Sequence, residues 1–192
     1  MATSTSLVSG PDGKERCAWA GNDAEYVRYH DEEWGTPLRG DRAVFEKISL
    51  EGFQAGLSWI TILKRRPAFR EAFSNFDIDT VASFTDSDIE DLVQNAAIIR
   101  HRGKITAVIS NARATLELGE SLSDLVWSFR QTPLPRRPTT LAEIPAITAE
   151  STALSVALRK GGFRFVGPTT MYALMQSAGI VDDHVEGCWR AG

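Results

Sequence analysis

Helical periodicity runs through almost the whole of this 192-residue chain, and it limits the possible folds more than any other feature of the sequence. Apolar residues recur at i, i+3, i+4 and i+7 in segments 89–96 and 105–116, which is the spacing of one helix face. No run of four to eight residues alternates apolar and polar side chains as a half-buried strand would. The sequence therefore predicts an all-α protein.

Capping residues predict where several of these helices begin and end. Thr85 and Asp88 form a capping box ahead of segment 89–96, and Thr148 can cap a helix that ends at a Gly-Gly pair. Pro168 suits the first turn of a last helix, which Gly179 would close.

An earlier helix is predicted in the first half of the chain. It begins behind Asp41 with the apolar residues Val44, Phe45 and Ile48. Leu57, Ile60 and Leu63 continue an apolar face, and proline in the sequence KRRP at 64–67 is expected to end it.

The domain organisation predicted from the sequence is simple. Residues 1–14 are small and polar without the apolar core of a secretory signal, so they are predicted to form a disordered tail. Residues 15–192 suffice for one helical domain, which the irregular stretch TPLPRRPTT at 132–140 could divide into two subdomains. No segment reaches the roughly 20 apolar residues of a membrane helix. We therefore expect a monomeric cytoplasmic protein that does not bind membranes.

The overall charge is acidic, with 21 Lys and Arg against 25 Asp and Glu and a net charge of −4. Bulk charge therefore argues against nucleic-acid binding, which would need a local basic patch. The basic side chains could either gather on one face or be scattered over solvated surfaces. The candidates are Lys64, Arg65, Arg66, Arg100, Arg102, Lys104, Arg159, Lys160 and Arg164.

Two cysteines and two histidines form pairs near opposite ends of the chain. Cys17 precedes His30, and His184 lies four residues before Cys188, a spacing that places both on one face of a helical turn. Together they are the ligand set that a structural Zn²⁺ prefers, and such a site would join the two ends. The alternative is that the four residues are unrelated, because the gap between the pairs is unlike that of a short zinc finger.

A glycine-containing stretch at 159–170 links two predicted helices. It would expose backbone N–H groups and the positive end of a helix dipole, which together can bind one phosphate. The stretch resembles the helix-hairpin-helix element of DNA repair proteins. The alternative interpretation is a plain corner between two helices with solvated basic residues.

Glu51 is a carboxylate within the apolar run LEGFQAGLSW at 50–59. A buried, unpaired carboxylate is costly, so such a residue either turns to solvent or takes part in chemistry. Aromatic residues are frequent in this third of the chain, although most tryptophans are simply core residues. Several rings beside Glu51 could bind a flat, positively charged ligand. They are Trp19, Tyr29, Trp34 and Trp59.

Six motifs, taken in order, are similar to those of the 3-methyladenine DNA glycosylase I family. They are ERCAW at 15–19, YHDEEWG at 29–35, LEGFQAGLSWITILKRR at 50–66, IIRHRGKI at 98–105, FVGPTT at 165–170 and DHVEGC at 183–188. The resemblance covers nearly the whole folded chain. It implies an all-α helix-hairpin-helix DNA glycosylase in which Cys17, His30, His184 and Cys188 hold one structural zinc ion.

The resemblance also implies a base pocket made by Glu51, Tyr29 and Trp59, with Trp19 nearby. Adenine methylated at N3 is cationic, so aromatic stacking and a carboxylate would select it over neutral adenine. Glu51 would either aid bond cleavage or only bind the base. A second and weaker candidate for the catalytic carboxylate is Asp182, which could instead support His184.

Several residues of these motifs are expected to contact DNA. Gly56 and Leu57 match positions where the family would wedge the duplex, filling the gap left by an extruded base. The superfamily members that also cut the strand carry a lysine where this chain has Thr169, so we predict no lyase step. The remaining candidates for DNA binding are Gly167, Thr170 and Arg164.

The resulting prediction is a monofunctional glycosylase that releases 3-methyladenine from alkylated double-stranded DNA in base excision repair. One alternative is a DNA-binding protein with a helix-hairpin-helix and no catalysis. A metalloenzyme with an open zinc position is disfavoured, because four protein ligands leave no free site.

Overall fold

Helices form most of the fold. The computed structural model describes residues 6–191, and within them nine α-helices follow one another. In chain order they are α1 (Ala24–Glu32), α2 (Asp41–Gln54), α3 (Trp59–Ala72), α4 (Ile78–Ala82), α5 (Asp86–Gln94), α6 (Arg102–Glu117), α7 (Leu122–Trp127), α8 (Ala149–Lys160) and α9 (Pro168–Ser177). No helix within residues 6–191 is both long and apolar enough to cross a bilayer.

A small β-hairpin precedes the helices, so the all-α prediction is corrected to a mostly helical fold. Strand β1 (Leu7–Ser9) pairs antiparallel with β2 (Glu15–Cys17). The predicted tail over residues 1–14 is therefore wrong for β1, and its residues 1–5 lie outside the described part of the chain. Three-residue strands are too short to show alternation, and Leu7 packs near Gly187 at the far end of the chain.

The predicted helix boundaries are confirmed where a capping residue marks them. Thr85 and Asp88 form the expected capping box of α5, and the Thr148 side chain accepts a hydrogen bond from the Ser151 N–H at the start of α8. Pro168 occupies the first turn of α9, where its missing N–H costs nothing.

Proline does not end α3, contrary to the prediction. The helix continues through Pro67 to Ala72. Side chains before and after Pro67 make tertiary contacts that stabilise this part of the helix. Arg66 makes an ion pair with Glu33, and the Phe69 ring lies 4.6 Å from the ring of Phe53. Tertiary contacts thus offset the hydrogen bond that proline removes from the helix.

One hydrophobic core joins the two sides of the irregular stretch 132–140. Helices α8 and α9 follow that stretch, and α9 packs against both α8 and α2. Helix α6 lies against α4 and α5 and also contacts α2. Because α2 contacts helices from both halves, its C-terminal end lies where early and late segments of the chain meet.

Candidate functional site

Three elements converge on one cavity of about 380 Å³. Tyr29 comes from the last turn of α1, Glu51 from the last turn of α2, and Trp59 is the first residue of α3. Trp19 completes the wall from the 3₁₀ turn that follows β2. The structure thus brings together all four residues that the sequence analysis assigned to a base pocket.

The cavity walls are aromatic. The rings of Tyr29 and Trp59 lie 5.5 Å apart between centroids at an angle of 47°. Trp19 extends the wall, with its ring 5.1 Å from Tyr26 and 4.9 Å from Trp34. Such rings give a flat ligand apolar area, and their π faces attract positive charge.

Glu51 is the only carboxylate among the described residues that line this cavity. Its side chain is buried, with 4 % of the residue exposed, and its Oε1 accepts a hydrogen bond of 3.1 Å from Ser177. Burial raises the pKa of Glu51 to about 7, against the opposing effects of Lys47 and Ser177. A positive charge that enters the cavity would therefore stabilise the ionised form of Glu51.

Trp59 has a buried indole N–H with no hydrogen-bond partner within residues 6–191. Buried donors are almost always paired, and an unpaired one costs about 1–3 kcal/mol. Because Trp59 lines the cavity, a ring nitrogen or carbonyl of a bound ligand could accept this hydrogen bond.

Lys47 is a buried cation that the sequence analysis missed. Its Nζ lies 3.5 Å from the Tyr29 hydroxyl, and 5.0 Å and 5.3 Å from the ring centroids of Tyr29 and Trp59. Burial lowers the pKa of Lys47, and the charges of Glu51 and Glu33 oppose that effect. Its position four residues before Glu51 on α2 was the available signal, because residues four apart share a helix face.

Seven of the described residues that line the cavity were not predicted, among them Tyr26, Gln54 and Ser177. Tyr26 lies one turn before Tyr29, and Gln54 lies one turn after Glu51, so helical spacing could have identified both. Ser177 belongs to α9, and no sequence pattern connects it to Glu51.

A buried cluster of two cysteines and two histidines lies beside this cavity. The four donor atoms of Cys17, His30, His184 and Cys188 all lie within 4.8 Å of one another. The Cys188 Sγ is 3.5 Å from the His30 Nε2 and 3.6 Å from the His184 Nδ1, and the Cys17 Sγ is 3.8 Å from that same Nδ1. The prediction that the two pairs meet is confirmed, and the group could hold a metal ion.

The spacing within the cluster fits a tetrahedral ion. Zinc bonds of about 2.3 Å to sulfur and about 2.0–2.1 Å to nitrogen imply sulfur–nitrogen separations of roughly 3.6 Å. Asp31 lies outside the cluster and interacts with the His30 Nδ1 at 2.8 Å, which directs the Nε2 toward the sulfurs. The predicted helical turn at 184–188 is wrong, because Gly187 adopts φ +88° and the segment forms an irregular turn.

The cluster and the aromatic cavity share a wall. The Trp34 ring lies 4.6 Å from the His184 ring, and the Trp34 carbonyl accepts a hydrogen bond of 3.2 Å from the His184 Nε2. Trp19 likewise lies 5.2 Å from the His30 ring. Both tryptophans line the cavity, so the cluster positions part of its wall.

The segments predicted to contact DNA lie at helix ends. Gly56, with φ +84°, turns the chain between α2 and α3, and Leu57 beside it is 42 % exposed. The turn 161–167 connects α8 to α9 and carries the exposed Arg164. Gly167 precedes α9, and Thr169 and Thr170 lie in its first turn.

Several of the basic side chains that could form a patch have partners within the protein. Arg66 and Lys104 are buried, Lys64 pairs with Asp23, and Arg102 pairs with Glu90. These four side chains therefore have partners within the protein. Arg100, Arg159, Lys160 and Arg164 remain exposed.

Asp182 does not line the cavity that contains Glu51. Its carboxylate forms an ion pair with Arg137 and accepts a hydrogen bond of 3.2 Å from the His184 N–H. Both contacts favour a role in which Asp182 stabilises the segment around His184 over one in which it contacts a bound base.

Comparison with known proteins gave consistent results. The family model described as methyladenine glycosylase matches residues 19–191. DNA-3-methyladenine glycosylase 1 of Escherichia coli K12 is 53 % identical over 178 residues, which cover 91 % of this chain and 95 % of that protein. A crystal structure of 3-methyladenine DNA glycosylase I superposes with a TM-score of 0.88 at 51 % identity, covering 91 % of this chain and 98 % of the other. A second structure, of a variant in complex with 3-methyladenine, has a TM-score of 0.87 at 34 % identity, with coverages of 92 % and 97 %.

Proposed function

Because this chain belongs to the methyladenine glycosylase family, we propose that it releases 3-methyladenine from alkylated DNA by hydrolysing the N-glycosidic bond, as the first step of a repair process. The observation that carries this proposal is the cavity in which Glu51 lies beside Tyr29 and Trp59. The relative from Escherichia coli is named for this activity, and a solved relative is described in complex with 3-methyladenine.

Recognition of the base follows from its charge and shape. N3-methylation leaves a delocalised positive charge on the adenine ring, and the rings of Tyr29 and Trp59 can stack on that cation. Glu51 would accept hydrogen bonds from the edge of the base, including its exocyclic amine, while its negative charge offsets that of the ring. Neutral adenine would gain less from the same pocket.

The positive charge of the methylated base already weakens its glycosidic bond. The bond between the sugar C1′ and the base nitrogen breaks, its electron pair goes to the base, and water adds to the cationic sugar carbon and loses a proton. Glu51 can stabilise the positive charge on base and sugar as it redistributes. The buried indole N–H of Trp59 can hydrogen-bond to the base as it takes up the electron pair.

Two turns near the C-terminal end of α2 would contact the DNA, one at Gly56 and Leu57 and the other at 161–167. Leu57, exposed beside Gly56, would fill the space left by the extruded base. The N-terminus of α9, with Gly167, Thr169 and Thr170, would bind a phosphate as a helix-hairpin-helix does. We propose that the protein acts as a monomer.

We also propose that Cys17, His30, His184 and Cys188 hold one zinc ion. Four protein ligands would complete its coordination, so its contribution would be structural. The ion would tie the segment after β2 to the C-terminal segment and so hold Trp34 and Trp19 in the cavity wall.

Base release without strand cleavage is the expected result for the wild-type protein. Incubation with methylated duplex DNA should yield free 3-methyladenine and intact strands with abasic sites. Thr169 offers no amine to form a Schiff base, so borohydride should trap no covalent complex. The measurements are chromatography of the released bases and a denaturing gel before and after alkali. DNA retention without released base would instead favour the non-catalytic DNA-binding alternative.

The rate of base release is expected to rise about tenfold between pH 6 and pH 8. Release needs ionised Glu51, whose pKa of about 7 is raised by burial in a site faced by Lys47, Tyr29 and Ser177. Since the folded pKa exceeds the reference value of 4.5, the stability contribution of protonated Glu51 is present below pH 4.5 and is lost as pH rises through 7. A pH profile of kcat/KM, which reports ionisation of the free enzyme, checks this, and the residual activity of Glu51→Gln should show no such rise.

A further inference from the structure

Two of the buried polar side chains of α6, those of Lys104 and Asn111, lie on one face of the helix. Residues seven apart lie two turns apart on the same side of a helix. Neither residue lines the cavity around Glu51. Both use their polar atoms to bind backbone groups of segments far away in the chain.

Lys104 binds the C-terminal end of α2. Its Nζ donates hydrogen bonds to the carbonyl oxygens of Phe53 at 2.9 Å and Ala55 at 2.6 Å. Only 7 % of Lys104 is exposed, although the sequence analysis counted it among the basic side chains of a possible surface patch. An ammonium among the last carbonyls of a helix gains from the helix dipole, which offsets part of the cost of its burial. The ammonium therefore fixes the backbone at the point where it turns into Gly56.

Asn111 binds the turn between α8 and α9. Its Oδ1 accepts a hydrogen bond of 2.8 Å from the Arg164 N–H, and its Nδ2 donates one of 3.0 Å to the Arg164 carbonyl. The next residue, Phe165, adopts φ +56°, a conformation that an L-residue rarely adopts without support. The side-chain amide therefore holds this turn by its backbone.

The two bound segments touch each other. A Cβ on Gly52, one turn before Gly56, would lie only 3.4 Å from the Cβ of Phe165. The Phe165 ring also meets His101, with centroids 6.3 Å apart, just before α6 begins. Helix α6, the end of α2 and the turn 161–167 thus form one packed unit.

We propose that Lys104 and Asn111 are positioning residues that fix the Gly56–Leu57 turn and the 161–167 turn at a set distance, so that both engage one DNA duplex. The proposal rests on the proposed function, because it assumes that these turns grip damaged DNA. Neither side chain contacts the DNA itself. Their effect is transmitted through the backbone atoms to which they hydrogen-bond.

The test measures how strongly the protein prefers a duplex with an abasic-site analogue over an undamaged duplex. Lys104→Met removes the ammonium with little change in length, and we expect that preference to fall about tenfold. Affinity for free 3-methyladenine should stay within twofold of wild type. The salt dependence of DNA binding should also be unchanged, whereas loss of a phosphate contact would reduce its slope by about one.

Arg113→Met is the matched control. Arg113 lies on the same helix and also donates to two backbone carbonyls, those of Ala82 at 2.8 Å and Phe84 at 2.7 Å, at the end of α4. Arg113 is exposed where Lys104 is buried, so this variant should lose less thermal stability, and it should keep the preference for the abasic duplex. An equal loss of preference in Arg113→Met would show that general destabilisation is the cause and would overturn the proposal.

Asn111→Leu supplies a second variant if Lys104→Met does not fold. It should also reduce the preference about tenfold. The double variant should lose less preference than the two single variants combined, because both side chains fix the same distance between the two turns. An unchanged preference, a salt slope reduced by one, or a wild type without any preference would each contradict the proposal. A wild type that prefers the abasic duplex but releases no base would refute the proposed base release, while the binding of damaged DNA on which this inference rests would remain.

Discussion

Replacing Glu51 with glutamine is expected to slow release of 3-methyladenine by about 100-fold or more. The amide keeps the shape of the side chain and a carbonyl acceptor, but it removes the one negative charge that the described cavity residues supply. The cationic base and the cationic sugar would then lose their electrostatic partner. Single-turnover excision from a duplex with one 3-methyladenine measures the effect directly.

The same substitution is expected to stabilise the protein at pH 8. A pKa moved from 4.5 to about 7 means that ionised Glu51 costs about 3 kcal/mol of unfolding free energy. The new amide has its own unmet hydrogen bonds, so a rise in melting temperature of about 2–5 °C is expected. A loss of activity together with a gain of stability cannot come from misfolding. Glu51 would thus be a residue whose function opposes stability.

Glu46→Gln is the control for this experiment. Glu46 lies on α2 like Glu51, but its carboxylate binds Arg70 away from the aromatic cavity. The control should keep its excision rate within about twofold. If Asp182→Asn abolished excision while Glu51→Gln did not, Glu51 would be refuted as the catalytic carboxylate and Asp182 would replace it.

Loss of the metal is expected to lower the melting temperature by about 10 °C or more. Structural zinc in small domains contributes much of the folding free energy, and here the ion would join residues near both ends of the described chain. Each kcal/mol corresponds to roughly 2–4 °C for a chain of this length. The purified protein should contain one zinc ion per chain, and the measurement is calorimetry with and without a strong chelator.

A variant without one ligand provides the control. Cys17→Ala should melt at a lower temperature than wild type, and the chelator should then have little further effect. Excision should fall with metal loss, because Trp34 and Trp19 pack on the two histidines and line the cavity. Metal analysis that found no bound zinc, or a chelator shift equal in both proteins, would refute the zinc proposal.

The sequence predicted those features that depend on local chemistry. Thr85, Thr148 and Pro168 mark helix starts because capping is decided within one turn of the chain. The frequent aromatic residues around Glu51 suggested a pocket, but the choice of Tyr29, Trp59 and Glu51 came from the resemblance to a family, since no spacing rule connects three different helices.

Features that depend on distant parts of the chain were missed or wrong. Lys104 looked like a surface cation, but its acceptors are carbonyls more than 45 residues earlier in the chain. Strand β1 was taken for a disordered tail because its packing partner lies near residue 187. Ser177 reaches Glu51 only because α9 packs on α2.

The separation along the sequence between the two halves of the cysteine and histidine cluster determines the order in which they are synthesised. His30 and Cys188 are 158 residues apart. At elongation rates of about 5–20 residues per second, Cys17 and His30 are made roughly 10–30 s before the residues that complete the cluster. During that interval the nascent chain holds at most half of the ligand set. Capture of the proposed zinc ion would therefore be a late step in the maturation of this protein, after most helices have had time to form.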